Sequence, residues 1–212
     1  MDRAFGSFLH RVIWRNRHLM KKNWAENYLS TSSHAHRQRL AEFILSDGVE
    51  SVCELGCGPG ANLFYLKKLN PDLRVFGVDL NSSAIKTARA FAKEEGVKWS
   101  EFMAADINKC ADSFSVSSYD VVVIDAVLMF VTPLEIFDVI RLAMRVAKKK
   151  VVLHEYFYKD AIDGYFDGGR WMYDYPAIAS SIDPTISFSL HSGCLSGGLW
   201  DSHGAVIEIY LS

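Results

Sequence analysis

Apolar positions along this chain follow two periods, and the switches between them mark out the elements. Phe5, Phe8, Leu9, Val12 and Ile13 recur at helical spacing, with Arg11, Arg15 and Arg17 between them. This predicts a basic amphipathic helix at the start. After the polar break Ser30-Thr31-Ser32-Ser33, Leu40, Phe43, Ile44 and Leu45 form a second helical face that ends near Asp47-Gly48. The period then shortens. Ser51 to Leu55 reads as a strand entering a glycine cluster, 61–69 as a helix stopped by Asn70-Pro71, and 74–78 as a strand ending at Asp79. Asn81 to Glu95 carries Ala84, Ile85, Ala88, Phe91 and Ala92 on one helical face and is closed by Gly96. Trp99 to Ala104 is a strand leading to Asp106, and Tyr119 to Ile124 is a strand apolar on both faces that ends at Asp125. Thr132-Pro133-Leu134-Glu135 is a capping box opening a helix to about Ala147. Val151 to Leu153 is the next buried strand, with His154-Glu155 at its end.

Strand and helix alternate five times, which calls for a mainly parallel sheet covered on both faces. The tail differs. Residues 156–184 are rich in aromatics, Gly and Asp and read as an insertion or lid. Residues 185–190 and 205–211 read as two strands joined by a Gly-rich loop, 193–204, which gives the sheet an antiparallel end. The expected organisation is a helical extension or cap over 1–47 and one α/β domain over 48–212.

Composition agrees with one sizeable core. Half of the 212 residues are hydrophobic and 13% are aromatic, which excludes a mostly disordered chain. No apolar run approaches the ~20 residues of a membrane-spanning helix. The net charge of −2 gives no global field for a nucleic acid, so no nucleic-acid partner is expected. The charge is uneven: 1–40 hold eight Lys/Arg against two acidic residues. A basic helix there has three readings: packed on its own domain, touching a membrane surface, or serving as a targeting peptide. The first is the plainer. Cys53, Cys57, Cys110 and Cys194 show no C-x-x-C pair and read as reduced thiols in a cytoplasmic protein.

The candidate chemistry sits at the strand ends, where open α/β sheets bind their ligands. Glu54, Asp79, Asp106, Asp125 and Glu155 occupy successive exits and predict an acidic crevice for a positively charged or donor-rich ligand. Glu54-Leu55-Gly56-Cys57-Gly58-Pro59-Gly60 is the strongest local signal. Glycines at alternate positions permit a sharp turn and close ligand approach. The pattern is G-x-G-x-G, not the G-x-G-x-x-G of dinucleotide binding. A carboxylate at Asp79 is placed to accept ribose hydroxyls.

This run, with Asp79 and Asp106 at the next two exits, closely resembles the Rossmann-like S-adenosylmethionine-dependent methyltransferases. The resemblance implies a seven-stranded, mostly parallel sheet with helices on both faces, an antiparallel last strand and added N-terminal helices. It implies S-adenosylmethionine as cofactor: Glu54 toward the amino group, Asp79 on the ribose and Asp106 on the adenine amino group. Gly56, Cys57, Gly58 and Gly60 would line the loop, Leu80 and Ile107 would sandwich the adenine, and Asp125 and Ala126 would lie by the methionine portion. A sulfonium and an ammonium suit five carboxylates, which would repel a pyrophosphate.

Alignment is most of what methyl transfer needs. A hydroxyl acceptor also needs a general base. His154, with Glu155 as partner or alternative, is the first candidate, ahead of His34, His36 and His203, although a lone histidine is more often structural. Tyr156, Arg170, Trp171, His34 and His203 are the candidate acceptor residues. The aromatic segment reads equally as a pocket wall or a hydrophobic plug. No metal site is expected, because helical positions two apart, as in His34-x-His36, do not share a face. The reading is methylation of a small-molecule acceptor, with a hydroxyl favoured by elimination. The alternatives are a non-catalytic cofactor-binding module and, less favoured, a nicotinamide-dependent oxidoreductase. The sequence assigns no oligomeric state.

Overall fold

The structure, a computed structural model, describes residues 10, 12–21, 23–30, 34–45, 48–193 and 199–212. The apolar positions Phe5 to Leu9, Arg11, Thr31 to Ser33, Asp47 and Cys194 lie outside the described residues. Helices α1 (Arg17–Met20), α2 (Trp24–Leu29) and α3 (Ala35–Ile44) precede the sheet. The alternating body follows: β1 (Ser51–Leu55), α4 (Ala61–Leu69), β2 (Arg74–Asp79), α5 (Ser82–Glu94), β3 (Ser100–Ala104), β4 (Tyr119–Asp125), α6 (Ile136–Val146) and β5 (Ala147–Tyr156). A hairpin, β6 (Tyr165–Asp167) and β7 (Arg170–Met172), and α7 (Tyr175–Ile182) fill the aromatic segment. The chain closes with β8 (Ser187–Ser192), α8 (Leu199–His203) and β9 (Gly204–Tyr210).

Seven strands form one sheet in the order β3-β2-β1-β4-β5-β9-β8. β1 to β5 are parallel, and β9 runs antiparallel to both its neighbours. The expected Rossmann-like α/β sheet with an antiparallel last strand is therefore present. Its centre is buried on both faces: Val121 to Ile124 and Val151 to Leu153 are all within 1% of full burial. Each such aliphatic side chain contributes about 1.5–3 kcal/mol. Helix α5 starts where expected, because the Asn81 side chain accepts from the Ser83 and Ala84 amides, both at 3.0 Å. No helix among the described residues is long and apolar enough to cross a membrane.

Two boundaries differ from expectation. The Thr132–Glu135 side-chain contact forms at 2.8 Å, but the α-helix starts later, at Ile136. β5 starts directly after α6, at Ala147, and runs through His154 and Glu155 to Tyr156, because β9 stays paired with it as far as Tyr156↔Gly204. His154 and Glu155 therefore lie inside a strand, not beyond its end.

The aromatic segment is both plug and wall. Trp171, Tyr173 and Tyr175 are buried in the main core, and the Tyr173 hydroxyl donates to the Val131 carbonyl at 2.7 Å. Asp174 caps α7 through the Ala177 amide at 3.0 Å. Tyr156 and Arg170 instead face the cavity described next.

Candidate active site

Strand order reverses between β1 and β4, the point at which an open α/β sheet leaves a crevice. A cavity of about 320 Å³ opens there. It follows the strand exits sideways: Asp106 after β3, Asp79 ending β2, Glu54 in β1, Asp125 ending β4, and Tyr156 ending β5. Strand spacing of ~4.8 Å puts about 19 Å between the first and last of these. The cavity thus has an acidic side over β3 to β4 and an aromatic side over β5, walled by Met129, Phe130, Tyr156, Arg170 and Trp200. Trp14, Trp24 and Tyr28 from the N-terminal helices close it over. The Trp14 carbonyl is tied down by the Asn81 side-chain amide at 2.8 Å.

The glycine loop takes its shape from close contacts. Gly56 has φ +87°, and a Cβ there would stand 2.3 Å from Val127 Cγ2. The loop amides are already spent: those of Gly56 and Cys57 donate to the Val78 carbonyl, that of Gly60 to the Cys57 carbonyl, and that of Gly58 to Asp79 Oδ2 at 2.7 Å. Within the loop itself no free N–H group remains for a pyrophosphate. Ala126 also sits in the left-handed region, at φ +57°, with its amide on the His154 carbonyl at 2.9 Å.

Asn62, in the first turn of α4, organises the acidic side. Its amide nitrogen donates to Glu54 Oε1 at 2.6 Å and Asp125 Oδ2 at 2.8 Å, while its oxygen accepts from buried Arg37. Arg37 also lies 4.6 Å from the centre of the Tyr28 ring. Asp125 Oδ1 takes the Nδ1 of His154 at 2.6 Å, and Oδ2 faces His36 Nε2 at 3.6 Å. Burial by itself would raise the Asp125 pKa, but these histidine contacts outweigh it and hold Asp125 well below the carboxylate range. Glu54 goes the other way. Burial first, then the Asp125 charge, pushes its carboxyl up to about 8. Its second oxygen, Oε2, is buried without a hydrogen-bond partner. Burial also raises Asp79, against the amides of Asn81 and Gly58 that lower it.

Not every expected site residue comes here. Leu80, Ile107 and Ala126 line the cavity; Gly60 does not. Adjacent strand residues point to opposite faces, so Glu155 cannot join His154. Glu155 instead accepts the amides of Val127 (2.6 Å), Leu128 (2.7 Å) and Met129 (3.4 Å), and burial raises its pKa to about 8 despite them. His154 lies behind the wall, its ring stacked 4.4 Å from Trp200 and its Nε2 buried without a partner. Trp171 belongs to the core, His203 packs near Tyr158, and His34 is an exposed helix cap. Because His34 precedes the helix, its Nδ1 does reach that of His36, at 3.0 Å. Sequence reasoning missed Asn62, Arg37 and the Trp14, Trp24 and Tyr28 cover. Asn62 had a readable signal, an amide immediately after the glycine loop; the others had none.

Fold and cavity define a Rossmann-like domain with an acidic crevice where its strand order reverses. A family profile described as a methyltransferase domain matches residues 46–166. The chain belongs to this family, the S-adenosylmethionine-dependent methyltransferases, and S-adenosylmethionine is its cofactor. The residues present fit that cofactor, since an unpartnered buried carboxylate oxygen and three further acids face a ligand with two cationic groups. Carboxy-S-adenosyl-L-methionine synthase of Campylobacter jejuni subsp. jejuni is 37% identical over 83 residues, which cover 39% of this chain and 33% of that protein. The chain thus matches only a third of the length of these curated relatives. The magnesium protoporphyrin IX methyltransferase of Synechocystis PCC 6803, with bound S-adenosylhomocysteine, superposes with TM-score 0.69 at 18% identity, over 98% of this chain and 100% of that one. Phosphoethanolamine N-methyltransferase 1 of Haemonchus contortus gives 0.68 at 12% identity, over 100% of this chain and 50% of that one. At such identities the likeness is one of fold.

Proposed function

We propose that this protein transfers the methyl group of S-adenosylmethionine to an oxygen atom of a small-molecule acceptor. One observation carries the reading: a row of four carboxylates that continues, in the same cavity, into an aromatic chamber beside Tyr156 and Trp200. Glu54 and Asp125, bridged by Asn62, face the ammonium of the cofactor. Asp79 takes the ribose hydroxyls and Asp106 the adenine amino group, with Leu80 and Ile107 against the ring. Gly56, Cys57, Gly58 and Ala126 border the methionine portion. When bound, the sulfonium supplies an activated methyl group. The chain supplies alignment and excludes water, which is where most of the rate comes from in such a transfer.

His154 is a positioning residue in this reading: its bond to Asp125 fixes the carboxylate under the cofactor. A hydroxyl acceptor is the second reading. It is favoured by the unpartnered Nε2 of His154, which would serve as base once Trp200 leaves its ring. The test is methyl-labelled S-adenosylmethionine with separated small-molecule and macromolecular fractions of host cells. Labelled product in the small-molecule fraction, with matching S-adenosylhomocysteine, is expected. Label only in macromolecules, or binding with no turnover, would refute the proposal; the latter would favour a non-catalytic module.

A further inference from the structure

Among the described residues, the aromatic wall of the cavity holds one cation and neither a carboxylate nor a histidine. Arg170, on β7, is the one cationic side chain among the described residues that line the cavity. Its strand neighbour is Asp167, yet its guanidinium reaches only the Gly168 carbonyl, at 3.3 Å, and stands 6.0 Å from the centre of the Tyr156 ring. Among the described residues no carboxylate forms an ion pair with it. The surrounding walls, Met129, Phe130, Tyr156 and Trp200, are apolar or aromatic. A half-buried guanidinium in such surroundings calls for an anion, which it can hold through two parallel hydrogen bonds.

The candidate bases among the described residues do not line the aromatic wall. Glu155 is spent on three backbone amides, and His154, held at Nδ1 by Asp125, keeps its unpartnered Nε2 behind the Trp200 indole and out of the cavity lining. His10 touches Phe130, at 5.0 Å between ring centres, without joining the wall. Burial makes the Tyr156 hydroxyl harder to ionise than usual, so it is a poor base. Of the four lining carboxylates, Glu54, Asp79 and Asp106 sit over β1 to β3, and Asp125, nearest the aromatic wall, is held well below the carboxylate range and is a poor base. Among the described residues of the aromatic wall, a hydroxyl nucleophile would meet no group ready to take its proton. A carboxylic acid needs none, because it is already ionised at neutral pH.

Resting on the methyltransferase reading, we infer that the acceptor is a carboxylic acid with a flat, unsaturated body. Its carboxylate is held by Arg170, its body by Phe130, Tyr156 and Trp200, and its product is a methyl ester. One carboxylate oxygen uses a lone pair to form the bond to the methyl carbon. The bond from that carbon to sulfur breaks, and its electron pair stays on sulfur as a neutral thioether. One negative and one positive charge disappear together, and no proton moves. The acceptor charge is lost in the transfer, so Arg170 acts on binding more than on the chemical step.

The experiment uses trideuteromethyl-labelled S-adenosylmethionine with benzoate, phenylacetate, 3-phenylpropionate and cinnamate, with their amides, and with a small-molecule host-cell extract. Label is expected in an acid and never in the amides, and mild alkali should release it as methanol. Arg170→Gln should raise KM for the acid about 10- to 100-fold and change kcat little. Its melting temperature checks that it folds. Alkali-stable product would overturn the inference and leave the methyltransferase reading standing. Labelled amide, an unchanged KM in the variant, or cofactor binding with no labelled product would overturn it as well. No heat on titrating S-adenosylmethionine would instead sink the underlying reading.

Discussion

Glu54→Gln keeps the shape of the side chain and removes its charge. It thereby separates two effects that the carboxylate combines. In the protein alone, burial and then the Asp125 charge hold Glu54 near pKa 8. At pH 7 it carries about nine-tenths of a proton, which must leave when the cofactor ammonium arrives. Wild-type affinity for S-adenosylhomocysteine should therefore rise about tenfold per pH unit toward pH 8 and level off above it. Loss of a charge-assisted contact costs about 2–3 kcal/mol, so above pH 8 the variant should bind about 30- to 150-fold more weakly. Near pH 7 the gap should narrow about tenfold, since only the wild type must deprotonate. The sign reverses for stability. A carboxyl raised in the folded state contributes stability that is fully present below its ordinary value of 4.5 and lost as pH rises through about 8. Unliganded Glu54→Gln should thus melt above the wild type at pH 8.5, and below it when both are saturated with ligand. Calorimetry at pH 7 in phosphate and in Tris reads the proton directly. Heats that do not depend on the buffer, or a wild-type Kd flat from pH 6 to 8, would refute the assignment of Glu54 to the ammonium.

Three further substitutions probe the rest of the site. Asp79→Ala should weaken cofactor binding by about 2 kcal/mol, roughly 30-fold, and an unchanged Kd would remove Asp79 from the ribose. Glu155→Gln should cost about 1–3 kcal/mol in denaturant unfolding, because one amide oxygen cannot replace a carboxylate that accepts from Val127, Leu128 and Met129. Its Kd for S-adenosylhomocysteine should stay near wild type, and a selective loss of turnover at full stability would restore Glu155 to the chemistry. Gly56→Ala forces a Cβ against Val127 at a positive φ, so it should lower both melting temperature and cofactor affinity; an unaffected protein would mean that the loop is looser than its contacts show.

How much the sequence disclosed depends on how far apart in the chain the cooperating residues lie. The cofactor side is built from short segments: a strand, the Glu54–Gly60 turn, and single acids at neighbouring exits. Strand period and glycine spacing expose all of these locally. The length of β5 is set instead by β9, paired from fifty residues away, so His154 and Glu155 looked like exit residues while the ladder carried them inside the strand. Strand alternation then separated them, one toward Asp125 and the other toward the amides after β4. Asp125 shows the same limit in its charge. Burial argues for a raised pKa, and only the arrival of His154 from β5 and His36 from α3 reverses the direction. His34 reaches His36 because the helix begins at Ala35, one residue after His34, a cap geometry that periodicity does not encode. The acceptor chamber is the extreme case. Phe130, Tyr156, Arg170 and Trp200 come from four separate elements, and no motif joins them. A glycine loop can therefore announce the methyl donor to a reader of sequence, whereas the recipient proposed above rests on a guanidinium without a carboxylate partner among the described residues, a feature that exists only once the chain has folded.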